Sequence, residues 1–374
     1  MKLRIENLFK PRTFGSSINV KNPIVMAPMT TFSGNLDGTV SEMELSYYKA
    51  RSKDVGIVIT AATYIRLSGK GFPGQFAAYD NSFLPGLKKL AQTIKGEGAL
   101  AILQIFHGGR MAIPSEIPGG QTISASAVAP ERPGAMTPRE MTETEIQDTI
   151  SAFGETTKLA IDAGFDGVEI HGANTYLLQQ FFSPHSNRRE DAWGGSIEKR
   201  MNFPLAVISE VKKAVKEKAA QNFIVGYRFS PEETENPGIT LEDTLLFIDI
   251  LANQGLSYLH SSIMDFWQSS TRDDSNTRPI ICKILDQIHG RVPFIGGGSI
   301  HTPKDAIMAL ESGVDFISLG REIIMEPEWT RKVQNGNFSE IRTTLSITHG
   351  RSLDIPEPLW NAIINTPGWF PISE

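Results

Sequence analysis

His171, Asn174 and Tyr176 fall within six positions of one another in EIHGANTYLLQQFFSP (169–184). His171 closes the apolar run FDGVEIH (165–171), and the apolar pattern beyond Tyr176 is broken by Gln179 and Gln180. An imidazole and a carboxamide can serve as two neutral donors to one carbonyl oxygen and polarise it. The Tyr176 phenol can then act as a general acid. The structural alternative is a satisfied histidine at a strand end and an asparagine that caps a helix.

Other polar groups are set into apolar stretches. Gln104 sits in AILQIF (101–106), and a carboxamide that donates and accepts suits an amide-like edge. Arg228 alternates with apolar residues in YRFS (227–230), which turns it inward. A buried arginine needs an accepting partner, either a ligand or a carboxylate such as Glu169. Gly298-Ser299 and Gly320-Arg321 end two further runs. Glycine lets backbone N–H groups approach a phosphate, and arginine adds a bidentate contact. Either pair alone reads as a turn or a surface arginine. No histidine pair has H-x-x-x-H spacing, so metal-dependent hydrolysis and metal ligands are not expected.

The elements that must position these groups are readable as eight apolar runs: 22–29, 55–62, 99–106, 165–171, 223–230, 256–262, 292–298 and 314–320. They are nearly continuous rather than alternating, as expected for parallel strands covered on their outer face. Helical segments separate them. Ser41 with Glu44, Thr142 with Glu145 and, more loosely, Thr240 with Asp243 have capping-box spacing. Thr302-Pro303 places proline at a first helical position. Eight strand–helix units predict a (β/α)8 TIM barrel formed by one domain, 1–374. The stretch at about 107–141, rich in Pro, Gly and Ser, is expected to be a long functional loop after the third strand, and the chain to end in an extension. Active sites of such barrels lie at the C-terminal strand ends, where all the polar groups above fall.

The 374 residues are 40% hydrophobic and 21% charged, with a net charge of −6. This balance argues against nucleic acid or an anionic membrane as partner. A single cysteine, Cys282, excludes an intrachain disulfide and a cysteine-ligated cluster within one chain. With no apolar core of a signal peptide in MKLRIENLFKPRTF, a cytoplasmic setting is expected.

Taken in order, IVMAPMT (24–30), QIFHGGR (104–110), the stretch 169–200, GGGSI (296–300) and SLGR (318–321) make the chain similar to the old yellow enzyme family of FMN oxidoreductases. The resemblance covers nearly the whole chain. It implies FMN as cofactor and NADPH or NADH as reductant. Ala27, Pro28, Met29 and Thr30 would line the flavin ring with Ala62 nearby, Thr30 bonding a ring carbonyl. Gln104 would bind the pyrimidine edge, and Arg228 the electron-rich end. Gly298, Ser299, Gly320 and Arg321 would hold the phosphate. His171 and Asn174, with Phe32, would bind an electron-poor alkene (an α,β-unsaturated carbonyl or nitro compound), and Tyr176 would protonate its α-carbon.

Departures from the family pattern are Thr30 where some members carry cysteine, Asn174 where others have histidine, and Thr175 and Trp193 in place of glycine and tyrosine. Rival expectations are a lyase or aldolase acting through Lys283 on a phosphorylated substrate, and an FMN-binding sensor without turnover. Whether Trp360, Trp369 and Phe370 cover this barrel or reach a neighbouring copy in a homo-oligomer is open at this level.

Overall fold

Each of the eight apolar runs contains a strand: β1 (Ile24–Met26), β2 (Ile57–Ile59), β3 (Leu100–Phe106), β4 (Gly167–Gly172), β5 (Ile224–Phe229), β6 (Tyr258–Ser261), β7 (Phe294–Gly297) and β8 (Phe316–Leu319). All neighbouring pairs are parallel, and β3 pairs with β2 through Ile57↔Leu100 and Ile59↔Ile102, so the sheet closes into a (β/α)8 barrel. The computed structural model describes residues 4–14, 18–273, 275, 277–347 and 350–373.

Helices cover the barrel in chain order: α1 (Glu42–Ser52), α2 (Leu84–Gly96), α3 (Glu143–Asp162), α4 (Leu177–Phe182), α5 (Ile197–Glu217), α6 (Leu241–Leu251), α7 (Ile280–Ile288), α8 (Pro303–Glu311), α9 (Arg321–Met325), α10 (Trp329–Gln334) and α11 (Glu357–Ile364). The Thr142 and Thr240 capping boxes form in full, and Thr302 forms one with Asp305. The Ser41 box is only half made. Ser41 accepts from the Glu44 N–H, but the Glu44 side chain accepts from the Thr31 hydroxyl instead of reaching back. Among the described residues no helix is long and apolar enough to cross a membrane.

Strand side chains alternate, so every second residue points into the barrel. At the bottom, Val25, Ile57, Ile59, Ile102, Ile224, Ile295 and Phe316 form an apolar plug. Phe14, from the hairpin Arg12–Phe14 with Ile18–Val20, stacks on Phe316 (ring centroids 4.8 Å apart) and closes that end. Two residues further up the strands the interior becomes polar, with Gln104, Glu169, His260 and Ser318 all buried. The upper layer carries Phe106, His171 and Arg228.

The connection after β3 is partly ordered by its own short elements. Three 3₁₀ turns (Gly109–Met111, Pro114–Glu116, Pro118–Gly120) lead to strands Ile123–Ser124 and Arg139–Glu140, which pair with each other.

Candidate active site

The stretch after β4 is shaped by the two glutamines that break its apolar pattern. The Gln180 carbonyl accepts from the Arg110 N–H (3.0 Å) and the Ser124 hydroxyl (2.9 Å). Its amide donates to Thr175 O (2.6 Å) and Gly108 O (3.1 Å). Gln179 accepts from the Thr175 N–H (3.0 Å) and donates to Glu233 (2.7 Å). The long loop and the loop after β5 are thus clamped to the segment that carries His171, Asn174 and Tyr176.

That segment is backbone-strained. Asn174 (φ 55°) and Thr175 (φ 66°) both occupy the left-handed region, which a β-branched residue rarely adopts. Glycine would adopt this conformation at Thr175 without that cost. Trp193, the other departure, packs across Phe203 and donates its indole N–H to Glu143 (2.6 Å), tying the segment to α3.

His171 is buried, and its Nδ1 accepts from the Ala173 N–H (3.2 Å). The proton therefore sits on Nε2, which is left to donate. Burial, aided by Arg228, pushes the imidazole down to about 3, so it is neutral at ordinary pH. Asn174 is exposed, and its Oδ1 accepts from the Ser262 hydroxyl (2.8 Å) at the end of β6. Its N–H donates to Ser230 Oγ (2.9 Å) after β5. With the carbonyl oxygen engaged, the amide nitrogen is the donor that this side chain has to offer.

Tyr176 stands edge-on to His171 (5.0 Å) and Phe106 (4.5 Å), with Phe72 at 6.0 Å. Burial pushes its phenol up to about 12, so it stays protonated. Phe32 meets Phe72 edge-on at 6.0 Å and also has a left-handed backbone, φ 55°. These rings form one aromatic wall beside the two donors.

Next to them opens a cavity of about 240 Å³. Ala27, Met29, Arg228, Gly298, Ser299, Gly320 and Arg321 all line it, seven of the residues expected from the sequence. Pro28 is buried and Thr30 half-buried beside them in the β1 loop, and Ala62 is buried after β2. Gln104 lies in the polar layer below, its Nε2 donating to Glu169 (2.7 Å). Gly298 has φ 119°, and a Cβ there would come within 2.9 Å of Ile263 O, so only glycine makes this turn. Arg321 reaches Ser299 Oγ (3.5 Å) and Trp369 O (3.2 Å). Trp369 itself lines the cavity, so the C-terminal aromatic segment covers its own barrel.

The Arg228 Nε is buried and has no hydrogen-bond partner among the described residues. Glu169 is attracted to it but commits its oxygens to Gln104, Tyr258 and His260. A buried, unsatisfied guanidinium N–H calls for an accepting ligand. With Gly298, Ser299 and Arg321 at the other end of the cavity, the donors present fit a flat ring with electron-rich atoms carrying a phosphate. The residues fit FMN.

Phe72 and Ser230 were not singled out from the sequence, whereas Ser262 is one of the polar residues at the strand ends and Trp369 belongs to the C-terminal aromatic segment noted above. Phe72 carries a weak signal, an aromatic in the glycine-rich GKGFPGQF (69–76), and Ser230 carries none. Lys283 lies on α7 in the outer ring and not at the strand ends, which removes the geometric basis for a lysine-dependent lyase. Among the described residues no cluster of three His, Cys, Asp or Glu is placed to hold a metal.

A closed barrel with a phosphate-and-ring cradle at its C-terminal mouth defines a flavin-dependent barrel oxidoreductase. The family described as NADH:flavin oxidoreductase / NADH oxidase matches residues 7–340, and the chain belongs to it. It is 47% identical, over the full length of both chains, to a probable NADH-dependent flavin oxidoreductase of Bacillus subtilis. It is 46% identical to an NADH:acrylate oxidoreductase of Vibrio harveyi, covering 93% of this chain but only 35% of that longer one. The solved structure of an old yellow enzyme homologue from Zymomonas mobilis superposes with a TM-score of 0.76 at 26% identity, covering 88% of this chain and 93% of the other. The chain is an NAD(P)H-dependent oxidoreductase with FMN as its cofactor.

Proposed function

We propose that the chain is an ene-reductase that saturates electron-poor alkenes, α,β-unsaturated carbonyl or nitro compounds. The observation that carries this reading is the buried neutral His171, with Nε2 left to donate and its ring 5.0 Å from that of the protonated Tyr176, next to Asn174, whose Oδ1 is occupied and whose amide nitrogen is its donor. Bound FMN would supply the redox chemistry, taking hydride from NADH or NADPH and passing it to a carbon acceptor.

The residues of the chain do the rest. Thr30 and Gln104 would hold polar edges of the ring, and Ala27, Pro28, Met29 and Ala62 its apolar surface. Arg228 would offer its free Nε to the electron-rich end. Gly298, Ser299, Gly320 and Arg321 would bind the phosphate. When hydride adds at the β-carbon of the alkene, negative charge develops on the carbonyl or nitro oxygen. His171 and Asn174 are neutral donors held by other groups, so they meet that charge without reorganising. Tyr176 would deliver the balancing proton to the α-carbon. Phe32 and Phe72 would pack the hydrocarbon part of the substrate. The whole chain, 1–374, would act as one unit, since the C-terminal segment reaches the cavity through Trp369.

A second reading is favoured by the partial coverage of the acrylate oxidoreductase. There, the matched stretch is joined to further chain; in this second reading the reduced protein would pass its electrons to another redox protein rather than to an alkene. One anaerobic experiment separates the two. NADH or NADPH should bleach the visible absorbance of the FMN-loaded protein, and cyclohexenone or a nitroalkene should restore it with formation of the saturated product. Bleaching without recovery by any activated alkene would refute the ene-reductase reading.

A further inference from the structure

The floor below the cradle contains a fully buried carboxylate that the reaction described above does not use. Glu169 Oε1 accepts from Gln104 Nε2 (2.7 Å), and Oε2 accepts from His260 Nδ1 (2.8 Å) and the Tyr258 hydroxyl (3.1 Å). His260 Nε2 lies 3.1 Å from Ser318 Oγ, and Ser318 lines the cavity. The arrangement is possible because β5 places Gly226 between β4 and β6. A Cβ on Gly226 would run into the Tyr258 ring.

The polarity of this chain of bonds follows from the chemistry of its members. An ionised carboxylate only accepts, so His260 Nδ1 carries a proton. Burial holds His260 neutral, so its Nε2 accepts from the Ser318 hydroxyl. Burial pushes Glu169 up, but His260, Arg228 and Gln104 together outweigh it and keep the carboxyl ionised. Gln104 must point its NH₂ group at Glu169, which leaves its carbonyl oxygen as the atom turned away from that anion. Arg228 is next to both His171 and His260 in strand register. The interior therefore holds one cation and one anion in a low-dielectric layer, where their charges are felt strongly.

We propose that Glu169 is a positioning residue for the flavin: it orients Gln104 to present its carbonyl oxygen to the ring, and its charge offsets Arg228 and lowers the flavin's reduction potential. This rests on the assignment of the cavity to FMN. A positive charge near the ring favours the reduced, more anionic form, and a negative charge opposes it. Neutralising Glu169 leaves Arg228 unopposed.

The test is the midpoint potential of the FMN-loaded protein, measured by anaerobic dye equilibration, together with the FMN dissociation constant from reconstitution of the apoprotein. E169Q removes the charge at constant shape. It should raise the reduced-to-oxidised ratio at a fixed potential by tenfold or more, about 30 mV for a two-electron couple. E169D keeps the charge but draws it back from Gln104, so it should leave the reduced-to-oxidised ratio at a fixed potential within threefold of the parent while weakening FMN binding several-fold. H260Q exchanges one neutral group for another and should also leave that ratio within threefold. An unchanged potential in FMN-loaded E169Q overturns the proposal. So does an equal rise in all three variants, which would mean general disturbance of the floor. Should E169Q fail to fold, an E169D protein whose reduced-to-oxidised ratio at a fixed potential shifts as far as tenfold, or that binds FMN as tightly as the parent, overturns it. A parent protein that binds no FMN refutes the cofactor assignment itself, and the inference falls with it.

Discussion

If His171 works as a neutral donor, its contribution to binding an anion must not depend on pH. Its Nδ1 is occupied by the Ala173 N–H at 3.2 Å, and burial and Arg228 push it down to about 3. At pH 6 about one molecule in a thousand would then carry the imidazolium, against roughly three-quarters for a free histidine. A phenol acidic enough to be ionised throughout, such as pentafluorophenol, mimics the charged oxygen formed in the reaction. Its complex with oxidised FMN-loaded protein should be readable as a long-wavelength charge-transfer band. Between pH 8 and 6 the dissociation constant should change less than threefold. A charged imidazole beside the phenolate would add about 1.5–3 kcal/mol, a factor of roughly 10–150. Tenfold tightening over that range in the parent, absent from His171→Asn, would refute the reasoning.

Two further substitutions probe the cradle and the strained turn. Arg321→Ala removes a charge-assisted contact to the phosphate and should weaken FMN binding by about 1.5–3 kcal/mol, tenfold or more in the dissociation constant. Unchanged retention would place the phosphate elsewhere. Thr175→Gly should relieve about 1–3 kcal/mol of left-handed strain, partly offset by about 0.5–1 kcal/mol of chain entropy. The expected net is a gain of up to about 2 kcal/mol in urea unfolding of the apoprotein, and a loss of stability would mean that the Thr175 side chain is itself a needed contact.

The barrel was legible because strands buried on both faces leave continuous runs such as VGIVITAA and ALAILQIF, and helix ends leave capping spacings. Gln104 and Arg228 were legible as candidates for the same reason, since a polar side chain on an interior strand has few structural excuses. What orients the site was not. Ser262 and Ser230 hold Asn174 from 88 and 56 residues away, and nothing distinguishes those serines from ordinary strand-end residues. Glu169 was visible only as a partner for Arg228. Its alternate partners Gln104, Tyr258 and His260 become neighbours only when β3, β4, β5 and β6 are laid side by side in register. Trp369 enters the cavity because the C-terminal strand Ile372–Ser373 pairs with Leu345–Ser346, a contact set by tertiary packing. The Thr175 departure acquires its meaning only from the left-handed backbone at that position, which its sequence neighbours do not signal.

The central claim is that Tyr176 protonates the alkene and takes no part in loading the flavin. Burial keeps the phenol protonated up to about 12, and its ring stands 5.0 Å from that of His171, within reach of a substrate held by the donor pair. Tyr176→Phe keeps the aromatic wall with Phe106 and Phe72 and removes only the proton. Stopped-flow absorbance should show flavin reduction by NADH or NADPH at nearly the parent rate, and reoxidation by cyclohexenone slowed by about 10²–10⁴. Equal slowing of both half-reactions, or enone reduction at the parent rate, would contradict the account.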